Sequence, residues 1–144
     1  MQKNTYSIFF VIITFCHCVV SQNEVKILQS KYLENKKNKN VEFDMFSGNV
    51  IAEYKTHTLY CDTILVSKNS GYIKASSKKY SKIIDEDGAK IQSKKIKFFK
   101  NDSIINFTKN VLFEKNNQTI YTDNLTYNLE KKIAYYESGG KLVT

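Results

Sequence analysis

Arginine, proline and tryptophan are absent from this chain, so all 22 of its basic residues are lysine. Without a guanidinium there is no bidentate readout of bases, which argues against nucleic acid as the partner. Cysteine is nearly as scarce. Cys16 and Cys18 lie in an N-terminal apolar stretch and Cys61 is left alone, so no intramolecular disulfide staples the domain. His57 is the sole histidine beyond that stretch. Flanked by Thr56 and Thr58, it reads as a solvated strand residue and not as a base. Metal-ligand spacings, glycine-rich phosphate loops and nucleophile elbows are all missing. Enzyme chemistry, cofactors and metals are accordingly not expected.

Long apolar runs are equally rare. One, Tyr6 to Val20, follows Lys3 and ends where Val19 and Ser21 suit a signal-peptidase cut before Gln22. It falls short of the roughly 20 apolar residues that cross a bilayer. Residues 1–21 therefore read as a signal peptide and residues 22–144 as the exported domain, with a short uncleaved anchor as the alternative. A lipoprotein cut at Cys16 or Cys18 is disfavoured, because Phe15 and His17 stand where a small residue is needed. The exported part is long enough for one core and not for two. The net charge of the whole chain, +8, suits an anionic lipid. The abundance of Lys, Asn and Ile also fits an AT-rich genome, which gives the charge a second origin.

What the chain does have is repetition. Leu28-Gln29-Ser30-Lys31-Tyr32-Leu33-Glu34-Asn35 returns as Leu59-Tyr60-Cys61-Asp62-Thr63-Ile64-Leu65-Val66, as Ile91-Gln92-Ser93-Lys94-Lys95-Ile96-Lys97-Phe98 and as Ile120-Tyr121-Thr122-Asp123-Asn124-Leu125-Thr126-Tyr127. Leu or Ile opens each row, Ser, Cys or Thr stands third, and Leu or Ile stands sixth. Such a period marks one supersecondary unit stacked on itself, which makes a binding surface a better expectation than catalysis. The unit is a strand unit. Val50, Ala52 and Tyr54 alternate with Ile51, Glu53 and Lys55, and Val111 and Phe113 alternate with Leu112 and Glu114. Turns are expected at Ser70-Gly71, at Asp87-Gly88, at Lys100-Asn101-Asp102 and after Tyr127.

The first and sixth positions of the phrase are five residues apart, so a regular strand would put them on opposite faces. A bulge at the polar trio between them, such as Cys61-Asp62-Thr63 or Thr122-Asp123-Asn124, lets both face inward. Strands bent in this way build a two-sheet roll or jellyroll around an apolar interior. The inward set is then Val50, Leu59, Ile64, Val66, Ile73, Ile91, Ile96, Phe98, Val111, Phe113, Ile120, Leu125 and Tyr127. Cys61 fills the small third slot as a packing residue. Asp62 and Asp123 are expected to accept backbone hydrogen bonds at the corners and not to bind a cation.

Phe46-Ser47-Gly48-Asn49-Val50, Leu59-Tyr60-Cys61-Asp62, Ile120 to Tyr127 and Tyr135-Tyr136-Glu137-Ser138-Gly139-Gly140 together resemble the OstA-like family. That family includes a periplasmic lipopolysaccharide-transport protein and the N-terminal domain of its outer-membrane partner. The resemblance covers roughly residues 25 to 144. It departs at Lys94, where the phrase has Asp, around Lys82-Ile83, and at Lys109-Asn110-Val111, which lacks the glycine. It implies an all-β, V-shaped jellyroll in the periplasm that shields the acyl chains of lipopolysaccharide or a similar anionic glycolipid. It also implies pairing with homologous jellyroll domains and head-to-tail homo-oligomers. On this reading the inward set lines a lipid groove, and Lys94, Lys95 and Lys97 meet head groups at its mouth. The competing class is a secreted structural or adhesive β-repeat protein that binds partner chains through its edge strands.

Overall fold

The computed structural model describes residues 24–38, 40–137 and 139–144. The expected signal segment, with Cys16 and Cys18, lies outside the described residues. The rest is antiparallel strand and turn. The strands are β1 (Lys26–Gln29), β2 (Tyr32–Asn38), β3 (Val41–Tyr54), β4 (His57–Ser67), β5 (Tyr72–Ile84), β6 (Lys90–Phe99), β7 (Ile104–Lys115), β8 (Gln118–Asn128), β9 (Ile133–Tyr135) and β10 (Lys141–Val143). They form one sheet in the order β1-β3-β4-β5-β6-β7-β8-β10, with β2 added to β3 and β9 to β8.

The short strands expected from the repeat are halves of longer, bent strands. β3 to β8 each run 10 to 14 residues. Every ladder among them shifts register near its middle, between Ser47 and Val50, Tyr60 and Thr63, Ser76 and Ser81, Gln92 and Lys95, and Thr108 and Val111. A bulge bends its strand and resets which residues face inward. The line of bulges folds the sheet into two halves, which we call A and B. Half A holds β1, the second half of β3, the first half of β4 and so on to β10. Half B holds β2, the first half of β3, the second half of β4 and so on to β9.

Register then writes the core as cross-strand rungs. In half A, Ala52, Leu59, Ile83, Ile91, Phe113 and Ile120 lie side by side. In half B, Phe46, Ile64, Ala75, Ile96, Phe107 and Leu125 form one rung, and Val66, Ile73, Phe98, Ile105 and Tyr127 the next. The rungs of both halves join one apolar interior. Each buried Ile, Leu or Phe in it contributes on the order of 1.5–3 kcal/mol of transfer free energy. The first row of the repeat departs from the pattern. Leu28 and Leu33 are exposed, and Ile27, directly opposite inward Ala52, packs against the core in their place.

The turns use residues that tolerate left-handed backbone. Asn116 and Asn117, with φ of 48° and 62°, make the two-residue hairpin between β7 and β8. At the bulge of β3, Gly48 and Asn49 have φ of 85° and 53°. The equivalent bulge of β7 places Lys109 and Asn110 at 70° and 53°. The corner geometry is thus kept where the glycine is missing.

Candidate functional site

The interior between the two halves is the feature that the second, third and fourth rows of the repeat contribute to. Of the expected inward residues, Val50, Leu59, Ile64, Ile73, Ile91, Ile96, Phe98, Val111, Phe113, Leu125 and Tyr127 are buried, and Val66 and Ile120 are half-buried against them. The expectation omitted Ile105 and Phe107, both fully buried on the first half of β7. Their signal was the alternation Ile105-Asn106-Phe107, which lies between rows of the repeated phrase and belongs to its hairpin partner. Ala52, Ala75 and Ile83 complete the rungs.

Opposite the line of bulges, the turns of half A meet the turns of half B, and this mouth is closed by polar side chains. The Tyr54 hydroxyl lies 2.7 Å from the Lys100 carbonyl and 2.8 Å from the Asp102 carbonyl, and it donates to one of them at a time. Its ring rests on Phe98, centroid to centroid 4.7 Å. Burial, with Asp102 and Glu130 nearby, pushes the Tyr54 phenol up to about 12. Farther along, the Tyr127 hydroxyl donates to Asp85 Oδ2 at 2.9 Å, while Asp85 Oδ1 accepts the Ala89 amide at 2.8 Å. Burial and the Asp85 carboxylate raise the Tyr127 phenol as well. Lys132, in the turn between β8 and β9, bridges to Asp87 and, at 3.5 Å, to Glu86. Lys55 reaches Ser103 at 3.2 Å and Glu130 at 3.7 Å.

His57 sits at this mouth and corrects the sequence reading. It is buried, with Nε2 lacking a hydrogen-bond partner among the described residues. It opens β4 directly opposite Tyr54, so strand pairing and the closed mouth together remove it from water. Burial lowers its pKa, opposed by Asp85 and Glu86 and assisted by Lys132 and Lys55.

The corner side is held differently. The third residue of the second, third and fourth phrases is buried there, and in the last two its hydroxyl bonds the backbone two residues on. Ser93 Oγ donates to the Lys95 carbonyl at 2.9 Å, and Thr122 Oγ1 to the Asn124 carbonyl at 3.2 Å. Cys61 occupies the same slot, beside the Thr63 backbone. Burial and Asp62 push its thiol up to about 12, which leaves it an inert packing group at neutral pH. Asp62 does accept a corner hydrogen bond, from the Lys78 amide at 2.8 Å, and its own amide donates to Ser77 Oγ at 2.9 Å. Asp123 has no such bond among the described residues. Asp62 faces the long bulge of β5 that supplies Ser77 and Lys78, whereas Asp123 faces the bulge pair Lys109 and Asn110.

The three lysines expected at the groove mouth are elsewhere. Lys94 is the unpaired bulge residue of β6, and Lys95 and Lys97 alternate with buried Ile96 and Phe98, so they face outward. Strand parity after the bulge decides this.

Comparison with known proteins agrees with the geometry. The family model described as OstA-like protein matches residues 22–144. The fold is similar to the crystal structure of LptH, the LptA homologous periplasmic component of the conserved lipopolysaccharide transport device from Pseudomonas aeruginosa. The TM-score is 0.68 at 12% identity, over 84% of this chain and 94% of that one. No curated protein sequence matches significantly.

Proposed function

The chain belongs to the OstA-like family, and on that premise we propose that it is a periplasmic bridge module that carries lipid toward the outer membrane. Its cargo on this reading is lipopolysaccharide or a similar anionic glycolipid, whose acyl chains are shielded between the two halves. The observation that carries the reading is the interior itself. Equivalent positions of β3 to β8 contribute apolar rungs that cross the sheet from end to end, with Ile27 of β1 and Ala134 of β9 packed against them. Each acyl CH₂ buried there gains roughly 0.8 kcal/mol, so a multi-acyl lipid needs no special polar site. The rungs are filled by the protein's own side chains; lipid therefore enters as the halves spread from the corner and the polar bridges at the mouth part.

The edges suit neighbours. β1 and β2 at one end and β9 and β10 at the other each pair on one side only, leaving backbone donors and acceptors for another strand. Homologous jellyroll domains or further copies of this chain, joined head to tail, would extend the interior without closing a ring. The competing reading, an edge-binding repeat protein that carries no lipid, takes its support from β2, which is exposed along its whole length.

A photo-crosslinking residue at Phe98 or Leu125 tests the choice. Capture of lipid there, with none at exposed Lys131, is the expected result. Capture of protein alone, at edge positions alone, overturns the carrier reading in favour of its competitor.

A further inference from the structure

The outward face of half B carries a pattern that the lipid interior does not use. At its tip, beside the mouth, stand Tyr72, Phe99 and Ile104. The rings of Tyr72 and Phe99 are paired across strands at 5.4 Å, and Phe99 and Ile104 are 48% and 40% exposed. Two residues along the same face, Lys74 lies directly opposite Lys97, and Lys95 follows. A like-charge pair across strands is destabilising unless something neutralises it. Among the described residues none of these three lysines has an ion-pair partner. No outward position of β4 to β8 in this half is acidic. Two acids in adjoining turns flank the tip, Asp102, with Lys100 beside it, and Glu130, which meets Ser103 and lies within reach of Lys55.

We propose that this tip docks on an anionic membrane surface, with Tyr72, Phe99 and Ile104 entering the interface and Lys74, Lys95 and Lys97 meeting lipid phosphates. The spacing fits. Two strand residues separate the apolar row from the lysine row by about 7 Å. An interfacial apolar face sinks roughly 5–10 Å into the head-group boundary, which sets the lysine row at phosphate level. Aromatic rings with an apolar body and, in Tyr72, a polar tip are favoured at that depth. Lysine is suited to the phosphate contacts as a point charge. The tip is also a lip of the mouth, since the adjoining turn supplies the carbonyls that Tyr54 meets. Docking by this lip would present the mouth to the bilayer. The proposal rests on the carrier reading for its purpose and not for its geometry.

Flotation of the purified chain with vesicles tests it. Vesicles of phosphatidylethanolamine and phosphatidylglycerol should carry the protein up at low salt, and phosphatidylcholine vesicles should not. Because each lysine near an anionic surface is worth about a factor of five, K74Q/K97Q should weaken partitioning by about 25-fold. F99S/I104S should abolish flotation, and Tyr121→Ser, on the outward face of half A, should leave it unchanged. Circular dichroism and the melting temperature confirm that each variant is folded. Absence of flotation by the folded parent chain, equal binding to neutral vesicles, or flotation unaffected by both double variants overturns the proposal. A chain that captures lipid at Leu125 yet ignores vesicles loses the docking and keeps the carrier reading. One that floats but captures no lipid does the reverse.

Discussion

The two long borders of the interior, the corner and the mouth, are closed by different means. At the corner the halves are continuous chain, and what bends them is backbone: bulges, left-handed residues and small side chains bonded two residues on. At the mouth the halves meet only through side chains: two phenols, two lysines, and the carboxylates and carbonyls they reach. Backbone bends are fixed by covalent geometry. The lysine bridges at the rim are partly exposed and exchange with water at modest cost, whereas the Tyr127–Asp85 bond behind them is buried. The difference teaches that this jellyroll has a hinge built of backbone and a seam built of side chains.

Breaking the hinge should have the largest effect. At Gly48 an added Cβ would lie 2.8 Å from the Lys31 Cβ, at a φ of 85°. Gly48→Val should therefore cost about 2–4 kcal/mol, seen as a fall in the urea midpoint. The matching bulge offers the converse. Lys109 sits in the same left-handed region without being glycine, so Lys109→Gly should stabilise by about 1 kcal/mol.

Breaking the seam comes next. Tyr127→Phe leaves an oxygen of the buried Asp85 unpartnered and should cost about 1–3 kcal/mol. On the carrier reading it should also speed lipid uptake, which no hinge variant should do. Alkali acts on the same border. The Tyr54 phenol ionises near 10 when unfolded and near 12 when folded, so the unfolded chain loses its proton first. Stability should be intact below pH 10 and fall as pH rises through 12. Tyr54→Phe should flatten that fall in a pH series of melting temperatures. In acid the sign is opposite. His57 is held below its ordinary 6.5 by burial, so stability should decline as pH drops below that value.

The smallest effects separate the two aspartates at the corner. Asp62→Ala removes the acceptor for the Lys78 amide and should cost about 1–2 kcal/mol. Asp123→Ala should fall within about 0.5 kcal/mol. Equal losses in paired denaturation curves would mean that both corners are held alike, and that Asp123 has a partner beyond those described.

The hinge was legible in the sequence and the seam was not. A five-residue spacing between Leu59 and Ile64, or Ile120 and Leu125, demands a break in strand parity, and the small third residue marks where it falls. That reasoning reached the jellyroll and its rungs because both are local consequences of the repeated phrase. Tyr54, Asp85 and His57 lie in turns or at strand ends, and their partners are 42 to 48 residues away in the case of the two tyrosines. No periodicity reports such pairs. The burial of His57 was missed for that reason. The lysines failed on a simpler point: Ile96 and Phe98 were read as inward, and alternation alone then sends Lys95 and Lys97 outward.

The strand order has a kinetic consequence. Every strand bonds to its chain neighbour or to the next but one, so no pairing has to wait for a distant segment. Loop-closure entropy is small at each step, and the contact order is low for an all-β chain. Once a first hairpin has formed, later strands can add in turn. The same order grades protection against amide exchange. β5 and β6, flanked on both sides, should open last, while β2, β9 and β10 exchange as the ends of a zip. A neighbouring domain docked on either end would turn that end into an interior strand, so slowed exchange at β2 or β10 is a direct readout of which edge a partner has taken.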